Sequence, residues 1–301
     1  MEENSLQRRR PFGKFGHAVL VYLELTKPAS VALLVFTCLA SLVVASQGHA
    51  PPRLILTVFV AITAGCAGAN AVTCYLDRDI DSLMTRTQRR PLPTGRIRPP
   101  ERALHFGLGL MLMALALAGS LNFLTFLLML LGLLDNVVVY SLLTKRRNHW
   151  NVLWGGISGG LPAAVGWSAA TGALNLTAVL IAALVVLWIP NHIWNLAIFH
   201  TEDYRRVRVP MLPVVYELEK ALRYLASTVL LLYGASLALY FVGGFGYIYL
   251  GIAAFSGLGL SAGNLYLTLR PSREGAWLMF RLSSPYLLLL FVGMLLDVLL
   301  A

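Results

Sequence analysis

The sequence predicts an all-α fold: a polytopic membrane bundle of nine transmembrane helices with its N-terminus in the cytoplasm. Three observations indicate this class. The chain has 301 residues, of which 57% are hydrophobic and only 13% charged, whereas a soluble domain carries about 25% charged residues. The apolar residues form long runs, and the mean hydropathy is +0.70. The basic residues gather in every second polar stretch between these runs, as expected for one side of a membrane.

Nine apolar runs approach the roughly 20 residues that a helix needs to cross the lipid core. In chain order they cover residues 29–47, 54–76, 103–121, 123–144, 152–171, 174–197, 222–243, 246–269 and 279–300. The fifth run contains GGISGGLPAAVGW, which can form a membrane helix because neighbouring helices satisfy its freed backbone groups and small residues allow close packing. No polar stretch is long enough for a second domain, so we expect a cytoplasmic N-terminal segment, 1–28, and one membrane domain, 29–301.

Basic residues set the predicted orientation. Of the 24 Lys and Arg residues, all except Arg53 precede the first run or follow runs two, four, six and eight. Cytoplasmic loops carry such an excess, so the N-terminus is expected in the cytoplasm and the C-terminus outside. The formal net charge of +10 therefore belongs to one membrane face, where it attracts anionic lipid, and it gives no reason to expect nucleic acid.

The N-terminal segment and the cysteines favour a prokaryotic plasma (inner) membrane. The segment lacks the apolar region and cleavage site of a secretory signal, and it is short for a mitochondrial transit peptide. The three cysteines, Cys38, Cys66 and Cys74, all lie in apolar runs. We interpret them as reduced packing residues rather than as disulfide partners.

The second run ends in the acidic stretch YLDRDID, which carries Asp77, Asp79 and Asp81. At 100° per residue, Asn70, Asp77 and Asp81 share one helical face, whereas Asp79 points the opposite way. Two carboxylates one turn apart, with an amide two turns earlier, form a hard-oxygen site of the kind that holds Mg²⁺ together with substrate phosphates. The alternative is that the acids only cap a helix end. We favour that alternative for Asp79, but ionisable groups turned into a membrane bundle are costly and usually functional.

Basic residues follow this acidic stretch and also close the fourth run. A metal alone would not need the arginines of TRTQRRPLPTG, but a metal-bound diphosphate would, because Arg86 and Arg90 can bind phosphate oxygens in a bidentate manner. The stretch YSLLTKRRNHWN carries Tyr140, Lys145 and Arg146. Lys145 is interpreted either as a diphosphate ligand or as a positive-inside anchor.

A third polar cluster, NHIWNLAIFHTEDYRR, ends the sixth run. His192 and Asp203 share a face if the helix continues through this stretch. Glu202, Asp203, Arg205 and Arg206 again combine acidic and basic side chains. The three clusters converge on one membrane face, above helices that can enclose an oily cavity. This arrangement suits a substrate with an anionic head and a long apolar tail.

Three segments taken together, YLDRDIDSLMTRTQRRPL, YSLLTKRRNHWNVLWGGISGGLPAAVGW and WIPNHIWNLAIFHTEDYRRVRVPMLPVV, resemble the UbiA superfamily of intramembrane prenyltransferases, and within it most the heme-farnesylating branch. The match runs from about residue 20 to the C-terminus. The resemblance implies a nine-helix fold, Mg²⁺ as cofactor, farnesyl diphosphate as donor and a vinyl group of heme B (protoheme IX) as acceptor, giving heme O. Membrane lipid and a heme A synthase are the further partners that it implies.

The resemblance also implies roles for individual residues, with the active-site loops on the cytoplasmic side. The implied catalytic residues are Asp77, Asp81 and Lys145. The implied metal ligands are Asn70, Asp77, Asp81, Glu202 and Asp203. The implied substrate-binding residues are Arg86, Arg90, Tyr140, Arg146, His192, Trp194, Arg205 and Arg206.

Two departures from the family pattern bear on this assignment. Many relatives have Asn four residues before the first Asp, where this chain has Thr73, so we expect Asn70 to substitute. Aromatic-acceptor members carry several Asp on the sixth helix, where this chain has Asn191, His192 and Asn195. This favours heme, with His192 meeting the iron or a propionate, although a membrane histidine often only bonds a neighbouring helix.

Two other functions are weighed against heme farnesylation. One is a UbiA-type prenyltransferase that acts on a phenolic, quinone-precursor or glycerol-phosphate lipid acceptor. The other is a transporter or a heme-binding chaperone. Transporters tend to show internal repeats with broken helices at the membrane midplane, whereas here the charged clusters gather at one face and the sequence shows no clear repeat.

Overall fold

The structure, a computed structural model, describes residues 14–300. Arg8, Arg9 and Arg10, which contribute to the predicted orientation, lie outside this range. Within it the chain is helical and contains no strand. In chain order the helices are α1 (Lys14–Leu25), α2 (Pro28–Ala45), α3 (Pro52–Leu76), α4 (Arg78–Leu83), α5 (Glu101–Leu121), α6 (Phe123–Thr144), α7 (Asn151–Thr171), α8 (Leu176–Phe199), α9 (Thr201–Arg206), α10 (Leu212–Val215), α11 (Leu218–Gly243), α12 (Tyr247–Leu269) and α13 (Arg273–Leu300).

The predicted all-α membrane bundle is confirmed. Within residues 14–300, eight helices are long and apolar enough to cross a membrane: α2, α3, α5, α6, α8, α11, α12 and α13. The Gly-rich fifth run forms α7, which has 21 residues but is less apolar than these eight. A lower hydropathy is tolerable there because α7 packs against α2, α6 and α8 and buries most of its small residues. The side of the membrane on which the N-terminus lies stays a prediction.

The long helices form a ring in chain order. Each packs on the next, in the order α2, α3, α5, α6, α7, α8, α11, α12 and α13, and α13 closes the ring against α2. Further contacts cross the ring, and the most extensive of them join α2 to α7 and α8 to α13. They hold its two halves together and leave room between them near the middle of the bundle.

Glycines permit the closest helix crossings. Where α3 meets α5, a Cβ on Gly68 would lie 2.7 Å from the carbonyl oxygen of Gly107, and a Cβ on Gly107 would lie 2.8 Å from that of Gly68. In the same way Gly166 of α7 packs directly on the backbone carbonyl of Cys38 in α2. Small residues let helix backbones in a membrane approach this closely. The three cysteines are free thiols, as predicted.

A cavity of about 490 Å³ lies inside the ring, between α2, α3, α6, α7, α8 and α13. Its lining is mostly apolar, and Asn70, Tyr140 and His192 contribute polar atoms to it. Cavities of this size are typical of sites for small molecules and cofactors. The fold therefore provides one intramembrane compartment to which all three polar clusters of the sequence contribute.

The second half of α6, Asp135–Thr144, is a π-helix, a local widening that frequently occurs at functional sites. Asp135 at its start accepts a hydrogen bond from the backbone N–H of Ser158 in α7, at 2.8 Å. Further along, the ring of Tyr140 packs against Gly155 of α7, where a Cβ would overlap with the ring. The π-helix and this glycine together place Tyr140 in the wall of the cavity.

Candidate active site

Two of the three acids of the second run are buried at one end of the bundle. Helix α3 ends just before Asp77, but the hydrogen bonds from Asp77 N to Thr73 O (2.9 Å) and from Asp81 N to Asp77 O (2.8 Å) continue the helical pattern into α4. The predicted one-turn spacing is therefore kept. Asp77 and Asp81 are 5% and 4% exposed. The Asp79 side chain is 60% exposed and pairs with Arg146.

Lys145, the first residue after the π-helix, forms an ion pair with Asp77. Both side chains are largely buried, 15% and 8% exposed. Burial alone would lower the pKa of the Lys145 ammonium, but Tyr140 and Asp77 raise that pKa to about 12. Lys145 is therefore charged at neutral pH and neutralises Asp77. Arg146 Nη2 lies 3.8 Å from the second oxygen of Asp77.

Asp81 has a cationic partner of its own. Arg90 Nη1 donates hydrogen bonds to both carboxylate oxygens of Asp81, at 3.0 and 2.7 Å. Thr87 Oγ1 donates to the backbone carbonyl of Asp81 at 3.0 Å, which folds the loop after α4 back over this acid. Arg86 of the same loop is exposed. Of the two arginines predicted to bind phosphate, Arg90 therefore pairs with Asp81, whereas Arg86 is exposed.

Asp203, a predicted metal ligand, is buried and anchors this loop. Its carboxylate accepts hydrogen bonds from the backbone N–H groups of Thr85, at 3.0 Å, and Arg86, at 3.3 Å. Burial would raise the pKa of Asp203, but these backbone hydrogen bonds lower it. Asp203 therefore stays ionised while it positions the loop that carries Arg86. These contacts give Asp203 a role in shaping the site, and its implied role as a metal ligand stays a prediction.

Glu202, the other acid predicted as a metal ligand on this segment, lies on the surface. Its side chain is 56% exposed and pairs with Arg205, at 3.0 Å, and Arg273, at 2.9 Å. Arg206 is exposed beside them. Successive helical residues point about 100° apart, so Glu202 cannot face the loop that Asp203 holds. Arg206 Nη1 also donates to Leu83 O at 3.3 Å. The metal role of Glu202 and the substrate roles of Arg205 and Arg206 that the resemblance implies stay predictions.

The cavity reaches the neighbourhood of the acids through two side chains. Asn70 lies two helical turns before Asp77 and lines the cavity. Its amide nitrogen donates to Thr26 O at 2.9 Å, which fixes the side chain and leaves the amide oxygen as an acceptor. The Tyr140 ring also lines the cavity, with Lys145 Nζ 5.6 Å from its centroid. A substrate whose anionic head lies near Lys145 would therefore extend its apolar tail into the cavity.

Helix α8 presents His192 to the cavity and turns Trp194 away from it. His192 lines the cavity, whereas Trp194 is 1% exposed and packs near Trp150, with ring centroids 6.1 Å apart. Two residues apart on a helix correspond to about 200° of rotation, so the two side chains face opposite directions. Trp194 is a core residue between α8 and its neighbours, and its implied substrate role stays a prediction.

Lys27 is a further basic residue near the site, and its sequence position indicates only that it belongs to the basic residues of one membrane face. It stands directly before α2 with φ 55°, a left-handed conformation that is uncommon outside glycine. Burial lowers the pKa of Lys27, and the positive charges of Arg90 and Lys145 lower it further. The signal available in the sequence was a lysine at the very start of an apolar run.

The residues present fit a divalent metal that is bound together with a diphosphate. Asp77 Oδ1 is buried, and no hydrogen-bond donor reaches it within residues 14–300. A buried carboxylate oxygen without a partner is unfavourable, and a hard cation such as Mg²⁺ supplies the missing interaction. Over the same residues, no group of three or more His, Cys, Asp and Glu side chains is gathered as a metal site, so substrate oxygens would have to complete the coordination.

These features define the class of protein. A membrane bundle holds an apolar cavity between its helices, and two buried acids paired with Lys and Arg side chains lie near one end of it. The arrangement is that of an integral membrane enzyme whose substrate has an anionic head and an apolar tail.

Comparisons with known proteins identify the family. Residues 34–292 match the UbiA prenyltransferase family. A relative from Desulforudis audaxviator, named protoheme IX farnesyltransferase, is 52% identical over 94% of this chain and 90% of its own length. Another of the same name, from Thermoplasma volcanium, is 38% identical over 91% of this chain and 96% of its own length. The chain belongs to the UbiA prenyltransferase family.

Solved structures share the fold at low sequence identity. A structure reported in work on digeranylgeranylglyceryl phosphate synthase in membranes gives a TM-score of 0.80 with 20% identity, covering 95% of this chain and 100% of the other. A UbiA homologue from Archaeoglobus fulgidus, bound to DMAPP and Mg²⁺, gives a TM-score of 0.65 with 18% identity, covering 91% and 98%. Both likenesses show that the ring of helices is the UbiA fold.

Proposed function

We propose that the protein transfers the farnesyl group of farnesyl diphosphate to a vinyl group of protoheme IX (heme B) and so forms heme O. One observation carries the proposal. The apolar cavity extends from Asn70 and Tyr140, beside the buried Asp77–Lys145 pair, to the imidazole of His192. It does so in a chain 52% identical to a relative named protoheme IX farnesyltransferase. A prenyl diphosphate suits the first end and a heme suits the imidazole.

The charged end of the cavity binds the diphosphate. The residues that would hold Mg²⁺ are Asn70, Asp77 and Asp81. Bound there, Mg²⁺ would neutralise the negative charge that develops on the departing diphosphate. Lys145 and Arg90, which now neutralise the acids, and the exposed Arg86 provide further donors for phosphate oxygens. Asp203 holds the loop on which Arg86 stands.

The transfer itself needs few protein groups. The bond between C1 of the farnesyl group and the diphosphate oxygen breaks, and the diphosphate keeps the electron pair. The terminal carbon of a heme vinyl group uses its π electrons to form a new bond to C1. The resulting cation beside the pyrrole ring takes the oxygen of one water molecule, which releases a proton. The apolar wall keeps other water away from the allylic cation, and the face of the Tyr140 ring stabilises positive charge.

The proposal extends to acceptor, location and partner. The sixth long helix presents an imidazole rather than carboxylates to the cavity, which favours heme over a phenolic acceptor. The bundle is an integral membrane protein, and we place it in a prokaryotic plasma (inner) membrane with the diphosphate site on the cytoplasmic side. The heme O released into this membrane would serve as substrate for a heme A synthase.

Mass spectrometry of extracted hemes tests the reaction. The purified protein in lipid nanodiscs is incubated with heme B, farnesyl diphosphate and Mg²⁺. We expect a new heme that is heavier by one farnesyl group and one water, and we expect its loss with EDTA and in Asp81→Asn. The matched control is Asp79→Asn, because Asp79 is exposed and paired with Arg146; it should keep most of the activity.

The same incubation separates heme from other acceptors. Unchanged heme, combined with prenylation of a small phenol or of a glycerol-phosphate lipid added in its place, would contradict the heme assignment and leave a prenyltransferase for another acceptor. Unchanged heme with no diphosphate released for any acceptor would contradict the proposed chemistry as a whole.

A further inference from the structure

The imidazole of His192 is held on one side only. Its Nδ1 lies 2.7 Å from the hydroxyl oxygen of Ser283 in α13. The ring is stacked between Trp188, at 4.5 Å between centroids, and Phe280, at 4.4 Å. Trp188 is itself fixed, because its indole N–H donates to Ser283 O at 2.8 Å. These contacts leave the ring little freedom to tilt or rotate.

The Ser283 hydroxyl decides which nitrogen of His192 carries the proton. A hydroxyl has one hydrogen to donate, and Ser283 Oγ donates it to the backbone carbonyl of Phe280 at 2.7 Å. While Ser283 donates to Phe280, the same oxygen accepts towards His192, and this arrangement places the proton of the neutral imidazole on Nδ1. The lone pair of the ring is then on Nε2.

Ser283 is the one side chain hydrogen-bonded to His192 among residues 14–300, and the His192 side chain lines the cavity. An imidazole fixed through one N–H, with the lone pair of the other nitrogen directed into a site, is the arrangement of histidine as a metal ligand. A histidine that served only to bond α8 to α13 would not need a cavity beside its second nitrogen.

We propose that His192 Nε2 is an axial ligand of the heme iron while the acceptor occupies the cavity, and that Ser283 is the positioning residue that fixes the tautomer and the direction of the lone pair. The proposal rests on the proposed function, since it assumes a heme acceptor. A proximal histidine is a common protein ligand of heme iron. The Trp188 and Phe280 rings would keep the imidazole upright against the macrocycle.

The proposal also explains how a large acceptor is oriented by few polar groups. An axial bond fixes the iron at one point of the cavity wall, so the heme can turn only about that bond until its vinyl edge meets the farnesyl chain. Cys66 and Met129 line the cavity as well and are the other side chains there with a soft donor atom. A thiolate or thioether ligand gives a different heme spectrum from imidazole, so the two cases are separable.

Heme spectroscopy without farnesyl diphosphate tests the ligation. Heme B is added to the full-length protein in nanodiscs, and absorption, electron paramagnetic resonance and the ferrous iron–histidine stretching band are recorded. We expect a histidine-ligated heme, its loss in His192→Gly, and its return when imidazole is added to that variant. His105→Ala should leave the spectrum unchanged, because His105 is exposed on α5.

Ser283→Ala separates the positioning role from a purely structural one. We expect this variant to bind heme with an iron–histidine band at lower frequency and to raise the KM for heme about tenfold, the lower end of the usual effect for a group behind a metal ligand. The KM for farnesyl diphosphate should not change. The matched control is Ser227→Ala, since Ser227 Oγ also donates to the backbone carbonyl three residues earlier, at 2.7 Å, but is exposed on α11 and does not line the cavity.

The outcomes distinguish this proposal from the proposed function. An unchanged heme spectrum in His192→Gly, with heme O still formed, would refute the ligation and leave heme farnesylation standing. An unchanged band in Ser283→Ala would refute the positioning role. If the wild-type protein neither binds heme B nor converts it while still prenylating another acceptor, the proposed function fails and the ligation fails with it.

Discussion

Replacing Asp77 by Asn, alone and together with Lys145→Met, separates the two tasks that the structure gives to this acid. Asp77 neutralises Lys145, and its second oxygen is a buried acceptor without a donor among residues 14–300. A purely structural acid would matter only through its lysine. A metal ligand would matter even when that lysine is gone. Each of the two substitutions nearly keeps the shape of the side chain, and the double variant has the same net charge as the wild-type protein.

The burial of the pair sets the expected size of the effect on stability. The side chains of Asp77 and Lys145 are 8% and 15% exposed, so Asp77→Asn strands an ammonium in a poorly solvated place. Breaking a buried pair costs about 3–5 kcal/mol, and we expect the lower value, about 3 kcal/mol, because the Asn amide oxygen still accepts a hydrogen bond. The melting temperature should fall by roughly 5 °C or more. Lys145→Met in the same chain should restore most of it.

Activity is expected to behave differently from stability. Loss of one group that stabilises transition-state charge typically lowers kcat by about 10²–10³. Because Lys145 is itself a donor for the diphosphate, Lys145→Met alone is the reference, and the double variant should be less active than that single variant. The assay combines thermal unfolding in nanodiscs with heme O formation at neutral pH. A double variant that regains activity together with stability would refute the metal role of Asp77.

Stability should also depend on pH through the Asp77–Lys145 pair. The Lys145 pKa is raised from 10.5 to about 12, so the pair stabilises the fold fully below about pH 10.5, and this contribution is lost as the pH rises through 12.

Two further predictions concern the walls of the site. Gly155→Ala places a methyl group where the ring of Tyr140 lies, so it should lower kcat/KM roughly tenfold. The control is Gly156→Ala, which should have little effect because its methyl group would meet no atom closer than 3.6 Å. Equal rates for the two variants would contradict the packing argument. Asp203→Ala frees the loop of Arg86 and should raise the KM for farnesyl diphosphate about tenfold. Folding lowers the pKa of Asp203 from 3.8, so its contribution to stability should be present above about pH 3.8 and be lost as the pH falls further. Acid unfolding of the wild-type protein and of Asp203→Ala measures this contribution.

Local helical geometry explains why part of the site was predictable. Asn70, Asp77 and Asp81 lie within a few turns of one helix, so the angle per residue alone places them on a common face. The structure keeps that relation, although α3 formally ends before Asp77. The same rule predicts that Asp79 points away, and it does so on the surface with Arg146.

Partners that are distant in sequence explain what was missed. The role of Asp203 depends on the backbone of Thr85 and Arg86, more than a hundred residues earlier, and no periodicity in its own segment indicates that contact. Lys27 reaches the site because α2 packs beside α3. For the same reason the sequence does not predict that Ser283 holds His192, since this contact requires the packing of α13 on α8.

The charges of the site indicate how its two ligands enter. Lys145 and Arg90 already neutralise Asp77 and Asp81, so a metal ion alone meets acids that have partners. Arg146 lies beside Asp77 as a further cation, which favours an anionic head. When a diphosphate arrives, its oxygens compete for the Lys145 and Arg90 donors, and each donor that turns to phosphate frees carboxylate oxygens for Mg²⁺. Electrostatics therefore favours binding of the metal together with the diphosphate, which keeps metal-assisted ionisation confined to the time when a prenyl chain fills the cavity.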